Sequence, residues 1–157
     1  MRKTVFVLSM VVISCLVLCS CSKSKKKDYV PVDEGVGTMN IAMYVTGDTQ
    51  KVNVEFENRD KEIWIFGEYY KLEIMIDGAW YYVPAEEYAV HDLAYELPPE
   101  QRFSLSYDLT PFGTLESGDY RIACGGLGDS TNIYYAYFHI TETNAFVGTT
   151  PTENVAS

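Results

Sequence analysis

The sequence predicts an all-β domain, a sandwich or barrel of about seven short strands. Three observations predict it. Apolar residues alternate with polar ones at Val52, Val54 and Phe56, and again at Phe103, Leu105 and Tyr107. That is the period of a strand with one buried face. Turn signals such as Gly47-Asp48, Asp77-Gly78 and Pro98-Pro99 separate the runs. Aromatic side chains are abundant, 13 Tyr, 7 Phe and 2 Trp in 157 residues, and they favour strands.

The first element is an address rather than structure. Met1-Arg2-Lys3 is basic, and residues 5–18 run apolar with only Ser9, Ser14 and Cys15 interrupting. A spanning helix needs about 20 apolar residues, so the run reads as a secretory signal. It stops at Leu18-Cys19-Ser20-Cys21, where a small residue precedes Cys21. This resembles a bacterial lipobox, which implies diacylglyceryl transfer to the Cys21 thiol and cleavage before it. Cys19 in the second position is not a favoured residue. Residues 1–20 are therefore expected as a lipoprotein signal peptide, and 21–37 as a lipidated, lysine-rich tether. Cys15 and Cys19 leave with the signal and Cys21 takes lipid, so Cys124 is left without a disulfide partner and reads as a small core residue.

Charge divides the chain. The whole carries a net −10, but from Asp28 onward there are 22 acidic and 6 basic residues. A basic stalk with four lysines can lie against anionic headgroups, while the acidic domain is repelled from them. The same acidity excludes a nucleic-acid binder, which needs basic surface against phosphates.

Residues 28–37 read as linker. Strands follow at 39–45, at 51–57, and as an apolar run 63–66 that Gly67 ends. Strand-type residues resume at 69–76. Asp77-Gly78 then predicts a hairpin into Ala79-Trp80-Tyr81-Tyr82-Val83, because both turn positions need φ > 0. Residues 88–97 are ambiguous: Val90, Leu93, Ala94 and Leu97 fit helical spacing, and Pro98-Pro99 ends either element. Further strands are expected at 103–107, at 120–124, and at 133–140. From Thr141 the chain turns polar, and residues 142–157 are expected as a disordered tail.

Chemistry is sparse. No Gly-x-Ser-x-Gly elbow is present, only His91 and His139 could partner a Cys124 nucleophile, and a glycosidase-type carboxylate pair stays open because such pairing is spatial. Asp48, Asp77 and Asp129 lack EF-type spacing and read as turn residues. No enzyme, cofactor or metal is expected. What remains is the aromatic surplus: Trp80-Tyr81-Tyr82 and Tyr134-Tyr135-Ala136-Tyr137 place aromatics on both faces of their strands. One face fills the core. The other is either a cross-strand ladder or a binding surface.

Leu115-Glu116-Ser117-Gly118-Asp119-Tyr120 puts a tyrosine at the start of a strand after a glycine turn. It resembles the tyrosine corner of immunoglobulin-like sandwiches, whose hydroxyl bonds back to upstream backbone. The order of motifs extends the likeness. Val52-x-Val54-x-Phe56-x-Asn58 is followed by Gly67-Glu68-x-x-x-Leu72-Glu73, then Asp77-Gly78-x-Trp80-x-x-Val83-Pro84. Leu115-x-x-Gly118-x-Tyr120-Arg121-Ile122 and Phe138 come last. Over residues 38–141 this is similar to the bacterial Ig-like domain found in exported proteins and lipoproteins of Gram-positive bacteria. Pro99-Glu100 and Ser117-Gly118 stand where that family has Pro-Gly, and these departures are expected to cost little. The resemblance implies an immunoglobulin-like β-sandwich with no catalytic residues, and it favours extended structure over helix for 88–97.

The expected function is a non-catalytic binding or structural module, held by lipid on Cys21 at the extracytoplasmic face of the cell membrane. Its expected partner is an envelope protein or polymer. The alternative is an envelope peptidase inhibitor that uses end loops such as 84–90 or 125–131.

Overall fold

The computed structural model describes residues 29–33, 35, 37–87, 93–126, 132–149 and 152–153. Residues 1–28, where a signal peptide, a lipidated Cys21 and a lysine-rich tether are expected, lie outside the described residues. So do His91, Leu127, Asp129 and the rest of 88–92 and 127–131.

Among the described residues, eleven strands form two antiparallel sheets. They are β1 (Val30–Pro31), β2 (Ile41–Gly47), β3 (Lys51–Asn58), β4 (Trp64–Ile76), β5 (Ala79–Tyr82), β6 (Ala94–Leu97), β7 (Arg102–Asp108), β8 (Gly118–Gly126), β9 (Ile133–Ile140), β10 (Phe146–Gly148) and β11 (Thr152–Glu153). The larger sheet runs β1-β5-β4-β8-β9-β10, with β6 also paired to β4. The smaller runs β11-β2-β3-β7. This is the expected sandwich, with short edge strands beyond the expected seven.

The alternation in the sequence decides which side chains meet. Ile41, Met43 and Val45 on β2 and Val52, Val54 and Phe56 on β3 point inward. They meet Trp64, Phe66, Leu72 and Ile74 of β4, Ile122 and Cys124 of β8, and Tyr134, Ala136 and Phe138 of β9. One end of this core is aromatic. Trp64 stacks on Phe66 at 4.0 Å between centroids, and Tyr134 meets Trp64 edge-on at 5.0 Å. Asn58 is fully buried at that end and ties three segments together. Its Nδ2 donates to the carbonyls of Glu62 (2.8 Å) and Leu97 (2.7 Å), and its Oδ1 accepts from the Asp60 amide at 2.9 Å. A buried amide with both ends satisfied specifies a single arrangement of the loops around it.

The turns follow their residues. Asp77 and Gly78 both have positive φ (51° and 84°), as the hairpin requires. The Asp48 carboxylate accepts the amides of Gln50 and Lys51 at 2.8 and 2.9 Å and so closes a side-chain turn. The tyrosine corner is present: the Tyr120 hydroxyl donates to the Glu116 carbonyl at 2.9 Å, and burial raises its pKa to about 12.

Three expectations are corrected and one ambiguity is settled. Gly67 does not end a strand. Residues 64–76 form one strand with a register shift between Phe66 and Tyr70, and a bulge absorbs the glycine. Residues 94–97 are strand, the extended form that the resemblance favours, because β4 offers an open edge beside Trp64. The segment read as linker to Gly37 is packed onto the sandwich, since β1 pairs with β5 and Gly37 is buried against Tyr134. A Cβ on Gly37 would sit 2.2 Å from the Tyr134 ring. Nor is the segment after Thr141 all tail. Phe146 on β10 stacks on Phe138 at 5.0 Å, and β11 pairs with β2. One aromatic in a polar stretch is enough to hold a short edge strand.

Glu100 has φ 62° in the turn before β7, the left-handed region where a Cβ is disfavoured. The departure from Pro-Gly at Pro99-Glu100 therefore has a conformational cost. Glu100→Gly is expected to raise unfolding stability by up to about 1 kcal/mol, the Cβ strain less the extra chain entropy of glycine. Chemical denaturation of the two chains measures it.

Candidate functional site

The two sheets turn different faces to solvent. Outside the smaller sheet, β3 and β7 carry Asn53, Glu55, Glu57, Arg102, Ser104 and Ser106. Arg102 pairs with Glu55 at 2.8 Å and with Glu57 at 3.2 Å. Glu57 also accepts from the Tyr44 hydroxyl at 2.7 Å and from Arg59 at 3.1 Å, and these bonds lower its pKa. This is a solvated, charge-laced face.

The larger sheet turns aromatics outward. Because β4, β5, β8 and β9 alternate, their outward residues form cross-strand rows. One row runs Tyr82–Glu73–Arg121–Tyr137, and Trp80 stands opposite Met75 beside it. Glu73 and Arg121 face away from the core, yet they are only 1% and 2% exposed. Arg121 Nε donates to Glu73 Oε2 at 2.6 Å. The guanidinium lies 3.7 Å from the Tyr135 ring and 4.2 Å from the Trp80 ring, with Tyr137 at 6.0 Å. Trp80 meets Tyr137 edge-on at 5.7 Å. A cation held by a carboxylate and flanked by π faces is a strong local anchor.

Backbone completes the cover. Val32 N donates to the Trp80 carbonyl at 3.1 Å, and Gly35 N donates to the Tyr135 hydroxyl at 3.1 Å. The segment ahead of β2 is thus pinned first to β5 and then to β9, on either side of Arg121. It goes on to Tyr134, whose hydroxyl accepts from Met39 N at 3.1 Å.

Beside this anchor a cleft of about 420 Å³ opens on the same face, lined by Met75, Trp80, Asp119, Tyr137, His139 and Thr149 among others. His139 Nδ1 and Asp119 Oδ1 are 2.8 Å apart at its rim, and Thr149 Oγ1 donates to the Tyr137 carbonyl at 2.6 Å. The cleft joins an apolar floor to a polar rim, the composition of a recognition site. It holds no nucleophile. Cys124 is buried on the inner face, its thiol donates to the Tyr134 carbonyl at 3.7 Å, and burial pushes its pKa up to about 12. Among the described residues no group of three or more His, Cys, Asp or Glu is arranged to hold a metal ion.

The sequence puts aromatics on both faces of these strands; the structure turns Trp80, Tyr82, Tyr135 and Tyr137 outward, and Tyr81 and Tyr134 inward. The cation between them was not foreseen. Its signal was present: Glu73 lies between Leu72 and Ile74, and Arg121 between Tyr120 and Ile122. A lone charge inside an apolar strand needs a partner, but only the pairing of β4 with β8 names it. Of the two end loops, residues 84–87 are exposed and fixed by one bond from Glu86 N to the Pro111 carbonyl at 2.8 Å. Most of the other lies outside the described residues.

Removing one partner of a buried pair strands the other. Glu73→Leu is expected to cost about 3–5 kcal/mol, and Arg121→Met a similar amount, whereas the double variant loses far less than the sum. A double-mutant cycle in urea reads the coupling.

No curated protein and no solved structure matches the chain. Residues 38–132 match the bacterial Ig-like domain, a span of more than half the chain and one that covers β2 to β8, the tyrosine corner and the Glu73–Arg121 pair. The chain belongs to the bacterial Ig-like domain family, whose domains are non-catalytic modules.

Proposed function

We propose that this chain is a membrane-anchored lipoprotein of the extracytoplasmic face, and that its Ig-like domain binds an envelope protein or polymer through the aromatic face of the larger sheet. The observation that carries the binding face is the contrast between the two outer surfaces. The smaller sheet is neutralised by its own ion pairs. The larger sheet presents Trp80, Tyr137 and Met75 in an open cleft with a polar rim. Rigid aromatics with one wet edge are the side chains binding surfaces favour. The acidic charge of the domain keeps nucleic acid out of the range of partners.

The anchor rests on the signal anatomy of residues 1–20 and on Ser20-Cys21. Since β1 is already paired at Val30, the reach from a lipidated Cys21 to the sandwich is at most about 30 Å. The four lysines of that stretch add attraction to anionic headgroups. The domain would work close to the bilayer surface.

Two measurements test these statements separately. Cys21→Ala is expected to abolish incorporation of an alkyne-labelled fatty acid and to leave the precursor unprocessed. Label retained on the variant rejects lipidation at Cys21. For the binding face, a photo-reactive residue at Met75 or Tyr137 is expected to give one recurrent adduct in cells. The same residue at Thr46 or Glu55 on the opposite sheet should give none. Equal adducts from both faces, or none from either, reject the aromatic face.

A further inference from the structure

We propose that two copies of this chain pair through β7, edge to edge and antiparallel, about a two-fold axis at Leu105. The inference is independent of the aromatic face, because β7 belongs to the other sheet. Among the described residues β7 pairs with β3 alone and ends the smaller sheet. Its hydrogen-bond parity is fixed by the bonds that bracket it. Asn58 N donates to the Gln101 carbonyl at 3.0 Å, and Leu109 N donates to the Gln50 carbonyl at 2.7 Å. In an antiparallel ladder such residues alternate. Phe103, Leu105 and Tyr107 therefore turn their amides to β3, whereas Arg102, Ser104, Ser106 and Asp108 turn theirs to the open edge. The Tyr70 hydroxyl already donates to the Asp108 carbonyl at 2.5 Å, so that carbonyl keeps one lone pair for a partner.

Soluble proteins blunt a free edge with proline, a bulge or an inward-pointing charge. β7 has no proline, its register with β3 is continuous, and its inward residues are Phe103, Leu105 and Tyr107. Its order is instead self-complementary: Arg-Phe-Ser-Leu-Ser-Tyr-Asp. Around Leu105, Arg102 faces Asp108 of the second copy, Phe103 faces Tyr107, and Ser104 faces Ser106. Each of these pairs lies on one side of the ladder, as antiparallel pairing demands. Ser104 and Ser106 form the hydrogen-bonded pair, since their amides point outward.

The neighbouring strand extends the match. Lys51 stands opposite Asp108, and Glu57 opposite Arg102. One outer row of the joined sheets then runs Lys51, Asp108, Arg102, Glu57, with the last two from the second copy. The sign alternates at every step. A register shifted by two residues sets Arg102 against Ser106 or Thr110 and loses the alternation. Phe103 and Leu105 are partly exposed on the core side, and pairing covers them. The product is one continuous sheet of eight strands.

The test uses the full chain in a mild non-denaturing detergent. Sedimentation is expected to show a monomer passing to a dimer as concentration rises. Ser104→Pro removes an amide that serves only the open edge, so it should weaken association by roughly tenfold or more at an unchanged melting temperature. A second arm reads the register, with the native cysteines common to every mixture. A Ser104→Cys chain mixed with a Ser106→Cys chain should form the crossed disulfide several-fold more than either variant alone. Sedimentation as a monomer at every concentration, a dimer indifferent to Ser104→Pro, or equal linkage in all mixtures would each overturn the proposal.

Discussion

The Glu73–Arg121 pair sets the terms for much of this sandwich. It lies on the outward side of the larger sheet, where strand alternation places polar residues, yet it is shut away from water. Charges taken out of water in this way need near-ideal geometry and further partners. The fold supplies them from four directions. Glu73 stands opposite Arg121 in register, Trp80 leans in from β5, Tyr135 and Tyr137 come from β9, and the segment before β2 is pinned at Trp80 and Tyr135. Without the pair, that segment and those rings would have little reason to gather there. Trp80, one of the rings that covers the ion pair, is also a wall of the cleft. Structural anchor and recognition surface therefore share a residue.

The inner face works by a different rule. Its side chains are apolar and aromatic, and Asn58 and the Tyr120 hydroxyl among them find their hydrogen-bond partners in nearby loops. The sandwich thus has a conventional core between its sheets and a second, ionic centre outside one of them. The smaller sheet has no such outer centre. Its exterior ion pairs are exposed and of small energetic weight, which leaves its surface solvated and its edge strand regular. That asymmetry separates the two surfaces: one sheet offers a face, the other an edge.

Much of the fold was legible in the strand patterns. Val52, Val54 and Phe56 face the core as their spacing implies. Asp77-Gly78 makes its hairpin, and Tyr120 makes its corner. The candidate site was half legible. Alternation split the aromatics between two faces, but which of them turn outward, and the cation among them, it could not give. The misread segments share one cause. The described residues of 29–37 and of 142–153 have the composition of linkers, and their order comes from long-range pairing, with β5, Tyr134 and Tyr135 for the first and with β9 and β2 for the second.

By itself the sequence determined the local terms: the strand period, the turns that need positive φ, the acidic domain behind a basic stalk, and the aromatic surplus. Each depends on residues within a few positions of one another, so no partner has to be known. The tertiary structure decided what depends on pairing across the sheet. It set Glu73 opposite Arg121, 48 residues apart in sequence, brought Trp80 and Tyr137 together as walls of one cleft, and put β7 at the end of the smaller sheet among the described residues. A strand pattern says which face a side chain takes. It does not say which strand lies beside it, because backbone hydrogen bonds are the same for every neighbour, and the choice among them falls to the packing of the whole core.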